Sequence, residues 1–562
     1  MFNDLIYKLD KERLIELLPK WQQPYFSDVQ LNFNRESLIE YIIESKNELL
    51  DNSEFLAGIV QKLSHEEYFN FIESTKKLNI YLFNKSKLVD DILSNNIKIV
   101  QKRTLQNFFD YEDKAQNFVE FDLKSISPIS DRFYELLDYQ MFIKEKLLSI
   151  LESNFLLPRV LIHMPTGTGK TKTAVHTLIH YFINVKKNNG LIFWIAHTNV
   201  LLDQALGTFE NVWSHLGNKP VSIFKVFGGK DITELTSSES SGIVFCNISS
   251  LINLKKNKLE LFDNLSSRTH LVIFDEAHKV LASETSYVIN SFMLKKDGYV
   301  NKALIGLTAT PGRNIFDEDD NYRLAQFFER RIIQIDINTI DKFSKNDFEY
   351  VNQADRDSKI IKYFQDRKIL SRFRREILDY NFNQEFESLL LDRIRIKQKF
   401  DDYNSALLDL FAINLDRNVS IVNRLIELDR ECTPTIFFAC SVEHGKLVHS
   451  ILKAKGVKTS QVYAETSKQK RDSEINDFKK GYTKILINVS VLTTGFDSTN
   501  IRCVFIARPT KSIVLYSQMI GRGLRGPKMG GNEDCLLIDM KDNLERFSDE
   551  NDAFSFFEEY WR

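Results

Sequence analysis

Apolar residues recur at helical spacing through the first 125 positions, with Leu5 and Leu9, Leu14 and Leu18, and Leu38, Ile42 and Leu49 as the clearest sets. That three-to-four-residue period is the mark of helices with one buried face. Ser64-His65-Glu66-Glu67, flanked by Leu63 and Tyr68, has the pattern of a capping box with its hydrophobic staple and predicts a helix starting near residue 65. From about residue 126 the texture changes. Val160–Ile162, Leu191–Ala196, Ile243–Cys246, Leu271–Phe274 and Ala303–Leu307 are short runs, apolar throughout, that alternate with amphipathic stretches. Strands covered on both faces read this way, so the segment is expected to be α/β with a mostly parallel sheet. A stretch that reads as helical and rich in both charges follows, and then a second α/β texture carried by Thr435–Cys440, Lys484–Asn488, Cys503–Ala507 and Cys535–Asp539. The expected organisation is an N-terminal helical domain over 1–125, a first α/β lobe over 126–335, a helical bridging insertion over 336–430, a second lobe over 431–545 and a tail over 546–562.

The first lobe carries a candidate phosphate-binding loop. Val160-Leu161-Ile162 leads into His163-Met164-Pro165-Thr166-Gly167-Thr168-Gly169-Lys170-Thr171, and a helix-compatible run leaves it. A strand-to-helix turn is the context such a loop requires. Gly167 and Gly169 let successive amide N–H groups turn inward toward phosphate oxygens, and the helix N-terminus adds positive potential. Lys170 can then reach the β and γ phosphates, and the Thr171 hydroxyl can ligate Mg²⁺. The strict pattern wants glycine where this chain has Met164, and a glycine-rich turn that binds nothing is the competing reading.

Asp275-Glu276-Ala277-His278 ends one of the apolar runs. An acid at the carboxyl end of a central strand can hold a magnesium ion, and the next acid can polarise a water. Thr308-Ala309-Thr310-Pro311 ends the next strand, where it can sense whether the two acids face the nucleotide or its products; a hydroxyl-capped turn is the alternative. In the second lobe Gln518-Met519-Ile520-Gly521-Arg522-Gly523-Leu524-Arg525 would, on a helix, project Gln518, Arg522 and Arg525 from one face. Two guanidiniums in a lobe with no phosphate loop of its own suit charge building up on a phosphate bound elsewhere. Two basic clusters, Arg367 to Arg375 and Arg393 to Lys399, either track a phosphate backbone or form a solvated, salt-bridged face.

Composition narrows the choices. The chain has 562 residues and 43 % hydrophobic content, ample for real cores, and a balance of 75 basic to 77 acidic residues. Any nucleic-acid contact must therefore come from a local groove, not a global field. The five cysteines lie apart with no zinc-ligand spacing, and no apolar run approaches the ~18 residues of a membrane span. The expectation is a soluble, cytoplasmic protein with reduced thiols.

With these pieces in order the chain resembles the superfamily-2 helicases and translocases from about residue 136 to 545, and within them the group of type I and type III restriction motor subunits and related repair helicases. Leu137-Asp138-Tyr139-Gln140 matches the segment whose glutamine reads adenine, and Met164 to Thr171 the phosphate loop, in a family that commonly lacks the first glycine. Ala196-His197-Thr198, Leu202-Asp203-Gln204 and Asn247 to Leu251 match strand-contacting motifs. The DEAH box, Thr308 to Pro311 and Arg313 follow in the family's order. Ser441 to His444, Val491 to Asp497 with Gly495 and Asp497, Arg508-Pro509-Thr510 and the Gln518 to Arg525 segment complete the set; Ser498-Thr499 stands where relatives usually have a small residue and proline.

The resemblance implies two RecA-like lobes with ATP in the cleft between them and a nucleic-acid strand crossing both. It implies Pro165 to Thr171 on the phosphates, Lys170, Asp275, Glu276, Gln518, Arg522 and Arg525 in catalysis, and Thr171 and Asp275 on Mg²⁺. It points to an ATP-dependent helicase or translocase on DNA rather than RNA, serving restriction, anti-phage defence or repair, with any cutting left to a separate nuclease or effector subunit. The alternative is a nucleic-acid-sensing ATPase that switches a surface of residues 1–125 for a partner without processive unwinding.

Overall fold

The computed structural model describes residues 2–28, 30–76, 85–94, 97, 99–109, 125–126, 135–152, 159–228, 241–294, 302–312, 318–335, 360–380, 402–403, 405–493 and 498–541. Arg313, Gly495, Asp497, the Arg393 to Lys399 cluster and the tail from 546 lie outside them. Strands in chain order are β1 (Ser125–Ile126), β2 (Arg159–His163), β3 (Leu191–Ala196), β4 (Val221–Val226), β5 (Gly242–Asn247), β6 (Thr269–Asp275), β7 (Ala303–Thr308), β8 (Ile332–Gln334), β9 (Arg372–Leu378), β10 (Thr435–Phe438), β11 (Thr459–Val462), β12 (Ile485–Asn488), β13 (Cys503–Ile506) and β14 (Asp534–Met540). The apolar runs of the sequence are these strands, within a residue or two at each end.

The fold is α/β, and its described residues divide into two compact units. One holds the described parts of 121–376, 399–403 and 490–562. Its eight-stranded sheet has the order β1-β4-β5-β3-β6-β7-β2-β8. From β4 to β8 all neighbours run parallel, and only the short edge strand β1 is antiparallel, to β4. Every residue of β3 is fully buried, because helices cover both faces of a parallel sheet. Each large apolar side chain so enclosed contributes roughly 1.5–3 kcal/mol. In the same unit β13 runs parallel to β14.

The other unit joins the described parts of 1–120 to those of 377–398 and 404–489. Here β11, β12 and β10 lie side by side and parallel. The N-terminal helices pack onto the helices around these strands. Asn418 Nδ2 donates to the Tyr25 hydroxyl at 2.9 Å, that hydroxyl lies 3.2 Å from the Ile413 carbonyl oxygen, and Lys453 Nζ donates to Ser45 Oγ at 3.0 Å. Lys455 sits over the Phe33 ring, 4.3 Å from its centre. The expected helical pattern holds: Leu5, Leu9, Leu14, Leu18, Leu38, Ile42 and Leu49 are all buried. The capping box forms reciprocally, with Glu67 N donating to Ser64 Oγ at 3.2 Å and Ser64 N to Glu67 Oε2 at 2.8 Å, and the helix starts at His65.

One expectation of local structure is corrected. Arg372 to Leu378, read as part of a helical stretch, is strand β9. Its Phe373, between arginines that stay exposed, packs toward Gly523 and the main hydrophobic core, which is the alternation of a half-buried strand. The first basic cluster is also largely paired: Arg367 with Asp138 at 3.7 Å, Lys368 with Glu533 at 3.3 Å, Arg372 with Asp366 at 3.1 Å.

His444, in the N-terminal unit, ties acidity to stability. Its Nδ1 accepts from Cys440 N at 3.1 Å, so the proton sits on Nε2, 3.0 Å from Asn418 Oδ1. Burial, with Arg417 nearby, lowers the ring from 6.5 to about 3. Between those values the unfolded chain binds a proton that the folded chain does not, so stability is lost as pH falls below about 6.5, at about 1.4 kcal/mol per pH unit from this ring. Urea unfolding at pH 7 and pH 5 should show that loss, and His444→Gln should reduce the dependence by this ring's share, since His163, His176, His278 and His449 are lowered by burial too.

Candidate active site

The loop is held open by its own chain. Gly167 and Gly169 adopt φ of 88° and 82°, a region that side chains rarely tolerate, and Gly169 caps the helix Lys170–His180. The Thr168 carbonyl accepts from the Tyr139 hydroxyl at 2.7 Å and from Gln140 Nε2 at 2.9 Å. Because the peptide is trans, turning this carbonyl onto Tyr139 and Gln140 aims the Gly169 N–H the opposite way, into the hollow of the loop. Gln140 Oε1 accepts from Leu137 N at 3.0 Å, so its amide braces the loop at both ends. A β-carbon at position 169 would run into that amide. Met164, where the strict motif has glycine, is fully buried in the core. The position serves packing here, which is why its side chain does no harm to the loop.

The sheet sets the acids level with the loop. In register, His163 on β2 pairs with Thr308 on β7, and Leu307 on β7 with Asp275 on β6. Neighbouring strands stand ~4.8 Å apart, so loop, threonine and acid share one carboxyl edge within about two strand spacings. That edge is where parallel sheets bind ligands. Met164 N donates to Thr308 O at 3.2 Å and His163 Nε2 lies 3.2 Å from Ala309 O, which stitch the two strand ends together.

Glu276 has φ 55°, ψ 54°. A non-glycine residue held in this conformation is strained, and such strain collects at functional sites. Its Oε2 lies 3.4 Å from His278 Nδ1, which is 3.2 Å from Thr308 Oγ1. The Thr308 hydroxyl donates to Thr310 O at 2.7 Å, so His278 must supply the proton on Nδ1. Burial, then Glu276, pushes Asp275 up to about 7, against the pull of Lys170. Burial also acts to raise Glu276, yet Lys170, His278, Lys279 and Arg522 together hold it below the ordinary carboxylate value. Glu276 is therefore ionised at neutral pH and able to accept a proton.

The segment from Gly521 lies directly on the loop. A β-carbon on Gly521 would come within 2.7 Å of Thr166 Cγ2, and one on Gly167 within 3.6 Å of Arg525 Cγ. Arg525 also forms an antiparallel bridge with Leu370. Arg522 donates from Nε to Gln518 O at 3.3 Å and is close enough to Glu276 to lower its pKa. Gln518 is 8 % exposed, and its Nε2 has no hydrogen-bond partner.

Residues 133–313 match the family described as Type III restriction enzyme, res subunit, and residues 417–526 match the Helicase conserved C-terminal domain. The two matches bracket the loop, the acids and the Gln518 to Arg525 segment in the family's order. The chain carries the paired domains of a superfamily-2 helicase. It is 24 % identical over 386 residues to IRC3 of Saccharomyces cerevisiae, named as an ATP-dependent helicase, with 68 % of this chain and 48 % of that one covered. To the Type I restriction enzyme EcoAI endonuclease subunit of Escherichia coli it is 24 % identical over 420 residues, covering 70 % and 44 %. The chain thus spans about half the length of the curated relatives it matches. Among solved structures it is similar to S. cerevisiae Dbp5 bound to RNA and ADP BeF3, with 16 % identity, TM-score 0.46 and 75 % and 87 % of the two chains covered. It is also similar to the Pyrococcus furiosus Hef helicase domain, with 16 % identity, TM-score 0.42 and coverage of 74 % and 97 %.

In this superfamily-2 chain Lys170, Thr171, Asp275, Glu276, Arg522 and Arg525 sit in one compact unit. The shared helical face that the spacing predicts for Gln518, Arg522 and Arg525 is not formed. The helix Ile513–Ile520 ends before the arginines, Gly521 caps it, and Arg522 and Arg525 lie on the turn that follows. The glycines answer to close packing: a β-carbon at 521 would strike Thr166, and one at 523 would come within 2.7 Å of Val504 Cγ2 and clash with Cys535 Sγ. Asn247, in a segment that the resemblance assigns to strand contact, donates from Nδ2 to Asn199 Oδ1 at 3.0 Å, and its Oδ1 caps the next helix through Ser249 N at 2.9 Å.

Sequence reasoning missed Asp402. Its carboxylate accepts from Arg508 Nη2 at 3.0 Å, Thr510 Oγ1 at 3.0 Å and Lys511 N at 2.9 Å, and so fixes the turn that feeds the Gln518 helix. No signal marks it, since it is one acid in a stretch dense with both charges. Asp402→Ala is expected to cost about 2 kcal/mol in urea unfolding, with Asp402→Asn milder.

Proposed function

We propose that the chain is an ATP-dependent DNA helicase or double-strand DNA translocase of the cytoplasm, acting in restriction, anti-phage defence or repair. What supports this most is the seating of the Gly521 to Arg525 turn on the phosphate loop, with the Arg522 charge felt by Glu276. Loop amides and Lys170 would bind the β and γ phosphates. Glu276 would orient the attacking water and accept its proton, while Arg522 and Arg525 would stabilise charge on the departing phosphoryl group. Gln518, with an unpartnered amide at the same site, has hydrogen bonds to offer the nucleotide or that water. Gln140 would read adenine, as the resemblance implies, only by exchanging the bonds its amide makes to Leu137 and Thr168 for bonds to the base.

The donors fit Mg²⁺. Thr171 supplies a hydroxyl beside Lys170, and Asp275 is an acid pushed up to about 7 by burial and by the neighbouring Glu276 charge, a combination suited to a hard cation that keeps most of its waters. The ion would neutralise charge between the β and γ phosphates.

The test compares ATPase stimulation by single-stranded DNA, duplex DNA and RNA, and displacement of a triplex-forming strand. Stimulation by DNA with displacement is the expected result; stimulation by RNA alone would overturn the DNA assignment. A second reading, an ATPase switch that activates a separate effector, is favoured by the hydrogen bonds linking the N-terminal helices to the helices at 415–454. It predicts stimulated ATPase without displacement.

A further inference from the structure

Asp402 lies in neither a helix nor a strand. It belongs, with Tyr403, to the unit that holds the phosphate loop, although the described residues of 377–398 and of 404–489 belong to the other. No regular element carries it to its place, so its bonds are what fix it there. Oδ2 accepts from Arg508 Nη2 at 3.0 Å, and Oδ1 accepts from Thr510 Oγ1 at 3.0 Å and from Lys511 N at 2.9 Å. Beside them the Lys511 ammonium stands over the Tyr403 ring, 4.9 Å from its centre. The Arg508 side chain is 15 % exposed and Thr510 4 %. Without the carboxylate, a guanidinium, a hydroxyl and an amide would each lose an acceptor where water has little access.

The chain of bonds continues into the helix that leads to the arginines. Because the Thr510 hydroxyl gives its proton to Asp402, its oxygen is left to accept from Ser512 N, at 3.0 Å. Ser512 is the N-cap of the helix Ile513–Ile520 and accepts from Leu515 N at 3.2 Å. That helix has eight residues, too few to stand without tertiary support, and spans roughly 12 Å. Its middle is tied to β14 by the Tyr516 hydroxyl, which donates to Asp539 Oδ2 at 3.0 Å. Past its far end Gly521 abuts Thr166 of the loop, and Arg522 follows. A short rod held at the middle transmits a release at one end to the other.

We infer that Asp402 is a positioning residue for ATP hydrolysis: through the turn at 508–511 and the helix that follows, its carboxylate sets where Arg522 meets the nucleotide. The inference rests on the arginine role proposed above and extends it to a residue outside both α/β textures. A displacement of about 1 Å at a reacting group costs about 10²-fold in rate. The bonds of Asp402 run to 508–511 and leave the loop amides and Lys170 to hold the nucleotide.

The experiment is a double-mutant cycle on the full chain, read by steady-state and single-turnover hydrolysis of radiolabelled ATP at saturating DNA, at a temperature where melting curves show every variant folded. Asp402→Ala is expected to lower kcat by about 10²-fold, with KM for ATP within about twofold of the wild type. Asp402→Asn, which keeps one acceptor oxygen, should lower kcat by less. On an Arg522→Ala background each substitution should cost less than about threefold, because a lever acting through Arg522 has nothing left to move. A merely structural role would take the same factor from both backgrounds. Additive losses in the cycle, an unchanged kcat in folded Asp402→Ala, or a raised KM with kcat kept would overturn the assignment. Should Asp402→Ala not fold, Asp402→Asn decides by the same ratios. A wild-type rate in Arg522→Ala would instead strike the arginine role itself, and this inference with it, so the two failures are told apart.

Discussion

Arg522→Ala is expected to slow nucleic-acid-stimulated ATP hydrolysis by on the order of 10³-fold, the range seen when an arginine finger is removed. Arg522 is half-buried on a turn fixed to the loop by the Gly521–Thr166 contact, and its charge already reaches Glu276. The guanidinium is thus held beside the place where negative charge would develop, and little reorganisation is needed when it does. Arg522→Lys should recover only a small part of the rate, since an ammonium lacks the planar fork. Steady-state kcat at saturating ATP and DNA reads both variants, with melting temperature as the control for folding. A wild-type rate in Arg522→Ala would remove the arginine from the chemistry.

Glu276→Gln should be the companion result, with turnover lowered by about 10²–10⁴-fold and nucleotide binding kept. Glutamine has the same shape and retains the hydrogen-bonding edge toward His278, so the strained backbone at φ 55° has no new reason to relax. What disappears is the carboxylate that Lys170, His278, Lys279 and Arg522 keep ionised. Losing it also relieves Asp275 of a charge that raises its pKa, so affinity for the magnesium nucleotide should not fall. Fluorescent-nucleotide binding beside single-turnover hydrolysis separates the two effects. Loss of binding in parallel with turnover would mean that Glu276 supports the pocket instead of the reaction.

The strands formed by wholly apolar runs and the turn at Gly167 and Gly169 were legible because burial on both faces and a positive φ each restrict the residues that fit, whereas β4, β8 and β11, with polar positions among the apolar ones, were not picked out. The capping box at Ser64 was legible for the same reason, since it is local. The end of the helix at Ile520 was not. The spacing of Gln518, Arg522 and Arg525 is compatible with a helix, and the contact that requires glycine at 521 comes from Thr166, far away in the chain. Strand β9 was hidden because its arginines stay exposed and leave only alternate positions to pack. Asp402 was hidden because its partners, Arg508 to Lys511, come from a distant stretch, and long-range pairing leaves no periodic trace.

The shared packing of the first hundred residues with the helices at 405–454 bears on how the protein can be cut or borrowed. A minimal motor trimmed to begin near residue 126 would lose Tyr25, Phe26, Phe33 and Tyr41, rings that are 4 % exposed or less, and would strip Asn418 and Ser450 of hydrogen-bond partners they have in the whole chain. The helices thus uncovered would present a sticky surface to the solvent, so the amino-terminal segment of this chain cannot be removed as a detachable accessory while the engine is kept.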